Sequence, residues 1–155
     1  MAIRSGSNVH YQSFGAVSSN IFAGLSSQNT TCDAGETRDY ATFFLSEEGE
    51  LYLHTDNPPR RVWVDRSGMG QGNIGYTTGA QSPPANAETT AWEIDEVGDV
   101  TFNGASLIAC PDSIDGSWSI WVSAGVSNPA GNQNCEGIVT RAVEIEDPIK
   151  CSYTF

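Results

Sequence analysis

Residues 43–53 read FFLSEEGELYL, and residues 92–102 read WEIDEVGDVTF. Each is an apolar run, a polar turn with one glycine, and a second apolar run, which is the pattern of a β-hairpin. The first predicts strands over 41–45 and 50–53, the second over 92–95 and 99–102. The two stretches superpose with Gly49 on Gly98, an offset of 98 − 49 = 49 residues. Residues 3–11, IRSGSNVHY, form a weaker third copy with Gly6 at its turn. Three hairpins repeated at this spacing predict a β-trefoil, with a two-sheet β-sandwich as the alternative.

The rest of the chain agrees with an all-β class. Residues 61–65 (RVWVD) alternate, and 106–109, 118–123 (WSIWVS) and 137–145 (GIVTRAVEI) follow as strands. The pieces between them, 54–60, 79–88, 111–116 and 125–134, are rich in Gly, Pro, Asn and Ser. No window of about 11 residues holds a helical apolar period without an interrupting Gly, Pro or β-former. Roughly eight short strands separated by turns predict a compact antiparallel barrel or sandwich. At 155 residues the chain is expected to be one domain, 1–155.

Nineteen acidic residues stand against seven basic ones, a net charge of −12. That field repels phosphate backbones and anionic lipid surfaces, so neither nucleic acid nor a membrane is an expected partner. No apolar run approaches the ~20 residues of a membrane span. Four cysteines, Cys32, Cys110, Cys135 and Cys151, lie far apart with no C-x-x-C pair, which disfavours a zinc ribbon or a thioredoxin-like site. An even count at wide spacing, with one lysine in the chain, fits a secreted protein with two disulfides. Asn29-Thr30-Thr31 is the one N-glycosylation sequon. The first residues, MAIRSGSN, have neither the basic nor the apolar region of a signal peptide, so a secreted chain carries its signal outside this numbering.

Residues 65–80, DRSGMGQGNIGYTTGA, contain Gly70-x-Gly72-x-x-Gly75, the glycine spacing of a dinucleotide loop. Such a loop needs a helix after it, because the pyrophosphate rests on that helix's N-terminus. Asn73-Ile74-Gly75-Tyr76-Thr77-Thr78 favours strand and turn instead. The glycines therefore serve the backbone, at least one of them is expected at positive φ, and no nucleotide or other cofactor is expected. Asp65 lacks the acidic ladder of a calcium loop. There is no G-x-S-x-G and no H-E-x-x-H, and the two histidines, His10 and His54, have no visible catalytic partner. With nineteen acids a carboxylate pair among Glu47, Glu50, Asp65, Asp95 and Asp99 carries no information. No catalytic residue and no metal ligand is assigned.

The aromatic side chains are the remaining candidates. Trp63, Tyr76, Trp118 and Trp121 are candidate sugar-stacking residues. Strand alternation places Trp118 and Ile120 on one face and Trp121 on the other, so one of the two tryptophans belongs to the core. Trp63 and Trp92 lie on apolar strand faces, the usual setting of core tryptophans.

IFAGLSSQNTTC (21–32), VDRSGMGQGNIGYTTGA (64–80), LIACPDSIDGSWSIWVSAGVSNPAGNQNCEGI (107–138) and CSYT (151–154) resemble the PhiA family of fungal cell-wall proteins. The resemblance covers nearly the whole chain. It implies a secreted protein of the wall of filamentous ascomycetes, linked to the formation of phialides and conidia, in a family with IgE-binding allergens among its members. It implies no catalytic residues. The expected function is a non-enzymatic contribution to wall or conidiophore structure, with wall polysaccharide or wall proteins as partners. A lectin-like module for wall polysaccharide is one alternative, and a secreted inhibitor or antimicrobial effector another. Among the three possible cysteine pairings the preferred one joins Cys110 to Cys135, which bracket the 118–123 strand and the 125–134 loop. That leaves Cys32 with Cys151.

Overall fold

The two hairpin turns form as the glycines require. In residues 46–49 the Gly49 N–H donates to the Ser46 carbonyl at 3.1 Å, and the Ser46 N–H to the Glu50 carbonyl at 2.8 Å. In residues 95–98 the Gly98 N–H donates to the Asp95 carbonyl at 3.0 Å, while Asp95 Oδ1 accepts the N–H groups of Val97 and Asp99 at 3.0 and 2.9 Å. Gly49 and Gly98 stand at φ +82° and +90°, a conformation that costs other residues strain.

The computed structural model describes residues 1–56 and 58–154. Among them the strands are β1 (Ala2–Ile3), β2 (Phe14–Val17), β3 (Asn20–Ala23), β4 (Thr31–Cys32), β5 (Phe43–Leu45), β6 (Leu51–Leu53), β7 (Arg60–Asp65) and β8 (Asn73–Tyr76). They continue as β9 (Ala87–Glu88), β10 (Trp92–Ile94), β11 (Val100–Phe102), β12 (Leu107–Cys110), β13 (Trp118–Val122), β14 (Glu136–Thr140) and β15 (Cys151–Ser152). The helical elements are three short 3-10 turns, and no helix among the described residues is long and apolar enough to cross a membrane. The large sheet runs β1-β14-β12-β13-β3-β8-β7-β6-β5, with β2 beside β3 and β9 beside β7. Two ribbons, β10-β11 and β4-β15, stand apart from it. All the pairings among the described residues are antiparallel.

Register places the core. Leu107 faces Val122 and Ile138, Ala109 faces Ile120, Val62 faces Tyr76, and Val64 faces Ile74. Directly opposed residues share a face, so these side chains all point inward, and each is at most 4 % exposed. The β10-β11 ribbon adds Trp92 and Phe102 to the same cluster, edge to face with centroids 5.0 Å apart. Such a pair contributes about 0.5–1.5 kcal/mol beyond the area it buries.

The architecture is thus all-β, antiparallel and sandwich-like. The trefoil reading lacks its third hairpin. After β1 the chain makes a run of turns, and Tyr11 and Gln12 return to Ala2 through two hydrogen bonds, not a ladder. The strand expected over 137–145 stops at Thr140; Arg141 extends the pairing by a single bridge to Asp99 and a bond to the Met1 carbonyl, and no strand forms over 142–145. The hairpin β2-β3 was not anticipated from its sequence: FGAV and NIFA are short, and Ser18-Ser19 between them is a weak turn signal. Both serines sit at positive φ.

Candidate functional site

The glycine loop between β7 and β8 is closed on itself. Asp65 Oδ1 accepts the Ser67 N–H at 2.9 Å, and the Asp65 carbonyl accepts the Gly72 N–H at 2.8 Å. Gly70 N–H donates to Ser67 Oγ, Gln71 N–H to the Ser67 carbonyl, and Asn73 N–H to the Gly70 carbonyl. The amides that would cradle a phosphate are spent on the loop's own acceptors. Gly72 stands at φ +95°, and a Cβ there would lie 2.0 Å from the Val122 carbonyl oxygen. The positive φ expected in this loop is therefore present, at the point where the loop touches β13.

The outer face of the sheet gathers two tryptophans. In β7 Val62 and Val64 are buried and Trp63 turns the other way, half-buried. Val-Trp-Val is apolar throughout, so its sequence does not reveal which parity faces the core. Trp63 lies opposite Gly75, and a Cβ on Gly75 would fall 2.4 Å from the Trp63 ring. The indole thus rests on the bare glycine backbone. Trp121 lies opposite Asn73, two residues from Gly75 and on the same face of β8. Its Nε1 donates to Ser119 Oγ at 2.9 Å, which fixes the ring plane. Trp63 and Trp121 flank β8, two strand spacings across and two residues along, about 12 Å apart. Asn20, exposed and opposite Gly75, and Asn73 add amides to this face.

The other aromatic candidates fall elsewhere. Tyr76 is 1 % exposed, and its hydroxyl donates to the Thr154 carbonyl at 2.6 Å, so its ring offers no face to a sugar. Burial pushes its phenol up to about 12. Trp118, on the Ile120 side of β13, packs against the inner cluster, as alternation required. Trp92 is core at 4 % exposure.

Cys32 is bonded to Cys151 and Cys110 to Cys135, with sequence separations of 119 and 25. Asn29 is exposed at φ +52°, open to solvent as a glycan acceptor must be. His10 Nδ1 accepts the Arg4 N–H at 2.8 Å. Among the described residues no group of three or more His, Cys, Asp or Glu side chains is arranged to hold a metal ion.

The profile of the family described as PhiA-like secreted protein matches residues 1–154. The chain belongs to this family. The cell wall protein phiA of Aspergillus fumigatus is 54 % identical over 155 residues, covering 99 % of this chain and 83 % of the relative. Its counterpart in Emericella nidulans is 52 % identical, covering 99 % and 84 %. A more distant cell wall protein phiA, from Arthroderma benhamiae, is 37 % identical over 147 residues, covering 91 % and 78 %. No solved structure matches the chain. The PhiA-like assignment agrees with the resemblance carried by the quoted motifs, and with the secreted, cell-wall localisation expected from composition and resemblance together. What the sequence missed in this PhiA-like chain is the pairing of Trp63 with Trp121 on one face. The signal lay in Gly75 and Asn73, two positions of β8 at period two that leave room between the rings.

Proposed function

We propose that this PhiA-like chain is a non-enzymatic protein of the fungal wall that contributes to wall or conidiophore (phialide) structure, and that it holds wall polysaccharide through the Trp63–Trp121 face. The observation that carries the reading is two half-buried indoles on one outer face, with a glycine and two asparagines between and beside them. An indole that keeps one face wet can stack on the apolar C–H face of a pyranose while neighbouring amides reach its hydroxyls. The closed glycine loop counts against a nucleotide at that position, and the relatives' names support the wall as the setting.

The test is retention on insoluble β-glucan, chitin and mannan. The wild type is expected to be retained on at least one. Trp63→Ala and Trp121→Ala are each expected to weaken retention roughly 3- to 10-fold, the worth of one aromatic stacking contact. Full retention of the double variant, with an unchanged melting curve, would refute the polysaccharide face. Fractionation of the tagged protein in the fungus tests the wider reading, which fails if the wall and medium carry none.

A further inference from the structure

The large sheet curls so that its two ends, β5 on one side and β1-β14 on the other, border a single opening. From this opening a cavity of about 940 Å³ runs inward. Its floor includes Ile21, Val62, Ile74, Leu107 and Ile120, all core residues. At its mouth stand Phe44, Ile94, Val143 and Ile145, which are 58, 47, 59 and 39 % exposed. Exposed apolar side chains gathered at one opening mark an interaction surface.

Among the described residues β5 is the last strand of the large sheet, with no strand on its far side; Ala41, just before it, donates its N–H to the Phe14 carbonyl at 2.8 Å. The His54 N–H donates to the Thr42 carbonyl and the Ser46 N–H to the Glu50 carbonyl, so even-numbered residues of this strand bond toward β6. In an antiparallel ladder the alternate residues, Phe43 and Leu45, then direct their N–H and C=O groups away from β6.

The surroundings are acidic. Residues 42–54, 90–102 and 140–148 hold ten of the nineteen acids and one of the seven basic residues. That one, Arg141, is ion-paired with Asp99 at 2.7 Å. Backbone contacts draw the three segments together: Trp92 N–H to the Gly49 carbonyl at 3.1 Å, and Ala142 N–H to the Gly98 carbonyl at 2.9 Å. Glu47, Glu48, Glu93, Glu96, Glu144 and Glu146 are all exposed. A second copy of this chain would bring like charge to like charge. A cationic partner would be steered in and held.

We propose that this opening docks an extended cationic polypeptide segment of roughly five residues, with apolar side chains at alternate positions, which adds as a strand to the free edge of β5. Main-chain bonds to Phe43 and Leu45 would set its register. Its inward side chains would enter the cavity, and its lysines or arginines would meet the carboxylates around the mouth. The site is separate from the Trp63–Trp121 face, which lies on the outside of the sheet.

The experiment uses a fluorescein-labelled peptide of alternating lysine and valine, titrated by anisotropy. Three comparison probes are a glutamate–valine peptide, a peptide of the same lysines and valines in two blocks, and dodecylamine. Saturable binding of the alternating cationic peptide is expected, with at least tenfold preference over both other peptides. Affinity should fall on the order of tenfold between low and high salt. Val143→Lys with Ile145→Lys, at exposed positions outside the ladder, is expected to weaken binding at least tenfold without lowering the melting temperature. Hydrogen exchange of the Phe43 and Leu45 amides in the wild-type protein is expected to slow on peptide addition. Absence of peptide binding at millimolar concentration, equal binding of the blocked or acidic peptide, binding of dodecylamine alone, or binding with unaltered exchange in β5 would each overturn the proposal.

Discussion

Replacing Gly72 tests the claim that the glycine loop exists for the backbone. Gly72 has φ +95°, and an added Cβ would meet the Val122 carbonyl oxygen at 2.0 Å. The obstacle is main chain, which cannot swing aside as a side chain does. To admit even a methyl group, the loop must separate from β13. Two hydrogen bonds of 2.8 Å are then lost or stretched, Gly72 N–H to the Asp65 carbonyl and Val122 N–H to the Gly72 carbonyl. Strain at such a φ costs about 1–3 kcal/mol, and each bond contributes about 1 kcal/mol net. Gly72→Ala is therefore expected to destabilise by about 3–5 kcal/mol, a large share of the roughly 5–15 kcal/mol of a whole domain. In a chain of this length that lowers Tm by roughly 6–20 °C. Gly72→Val should cost more still. Gly68, four residues earlier, has no atom within 4 Å of its Cβ position and no positive φ. Gly68→Ala is expected within about 0.5 kcal/mol of wild type, or slightly stabilising through the unfolded chain. Urea denaturation followed by tryptophan fluorescence gives both values. A Gly72→Ala loss below about 1 kcal/mol, or equal losses at the two glycines, would refute the reasoning.

A panel of NAD, ATP and related nucleotides is expected to leave Tm unchanged; a rise with any of them at sub-millimolar concentration would show that the loop still binds phosphate. Peptide mapping without reduction should recover Cys32 linked to Cys151 and Cys110 linked to Cys135, whereas a Cys32–Cys110 peptide would exclude both bonds. Serine replacement of the first pair is expected to cost up to about 5 kcal/mol, and of the second up to about 3.5 kcal/mol, by the chain-entropy scale. Burial holds the Tyr76 phenol at about 12 against an ordinary 10. The folded state thus keeps its proton where the unfolded state releases it. The resulting stability is complete below pH 10 and lost as pH rises toward 12, on the order of 3 kcal/mol. Tyr76→Phe should flatten that alkaline slope in denaturation curves, and an unaltered slope would place the titration elsewhere.

The hairpins at Gly49 and Gly98 were legible because each joins a local turn requirement to period-two strands. Nothing further along the chain is needed to read them. The same holds for Trp118 and Trp121, whose intervening Ile120 fixes the parity. Legibility failed where the decision is non-local. Val62-Trp63-Val64 is apolar at every position, and its orientation is set by β8, whose Gly75 makes space for the ring on one side only. Residues 137–145 alternate like one strand, yet β14 ends at Thr140: its partner β1 starts at Ala2, opposite Thr140, and past a single bridge from Arg141 to Asp99 no strand among the described residues lies alongside to extend the ladder. β12 and β13 are joined by the turn over 111–117, but the pairing of β14 with β12, past the intervening β13, follows from which edges meet and no turn encodes it. The acidic opening was invisible for the same reason: its carboxylates lie on three separate segments that become neighbours only in the fold.

The bond between Cys32 and Cys151 also governs what a peptidase can achieve. The ring it closes contains every residue from 33 to 150, and with them the exposed loops after β6, after β8 and after β13. A single cut in any of those loops opens the ring without releasing a fragment, since both new ends remain on one covalent body. Shedding a piece requires a second cut within the ring, or reduction of the bond; after a cut in the loop following β13, which Cys110–Cys135 also spans, both bonds must be reduced. Among the hydrolases of an extracellular matrix, a nicked molecule would keep its size under non-reducing conditions and show its break only after a thiol is added.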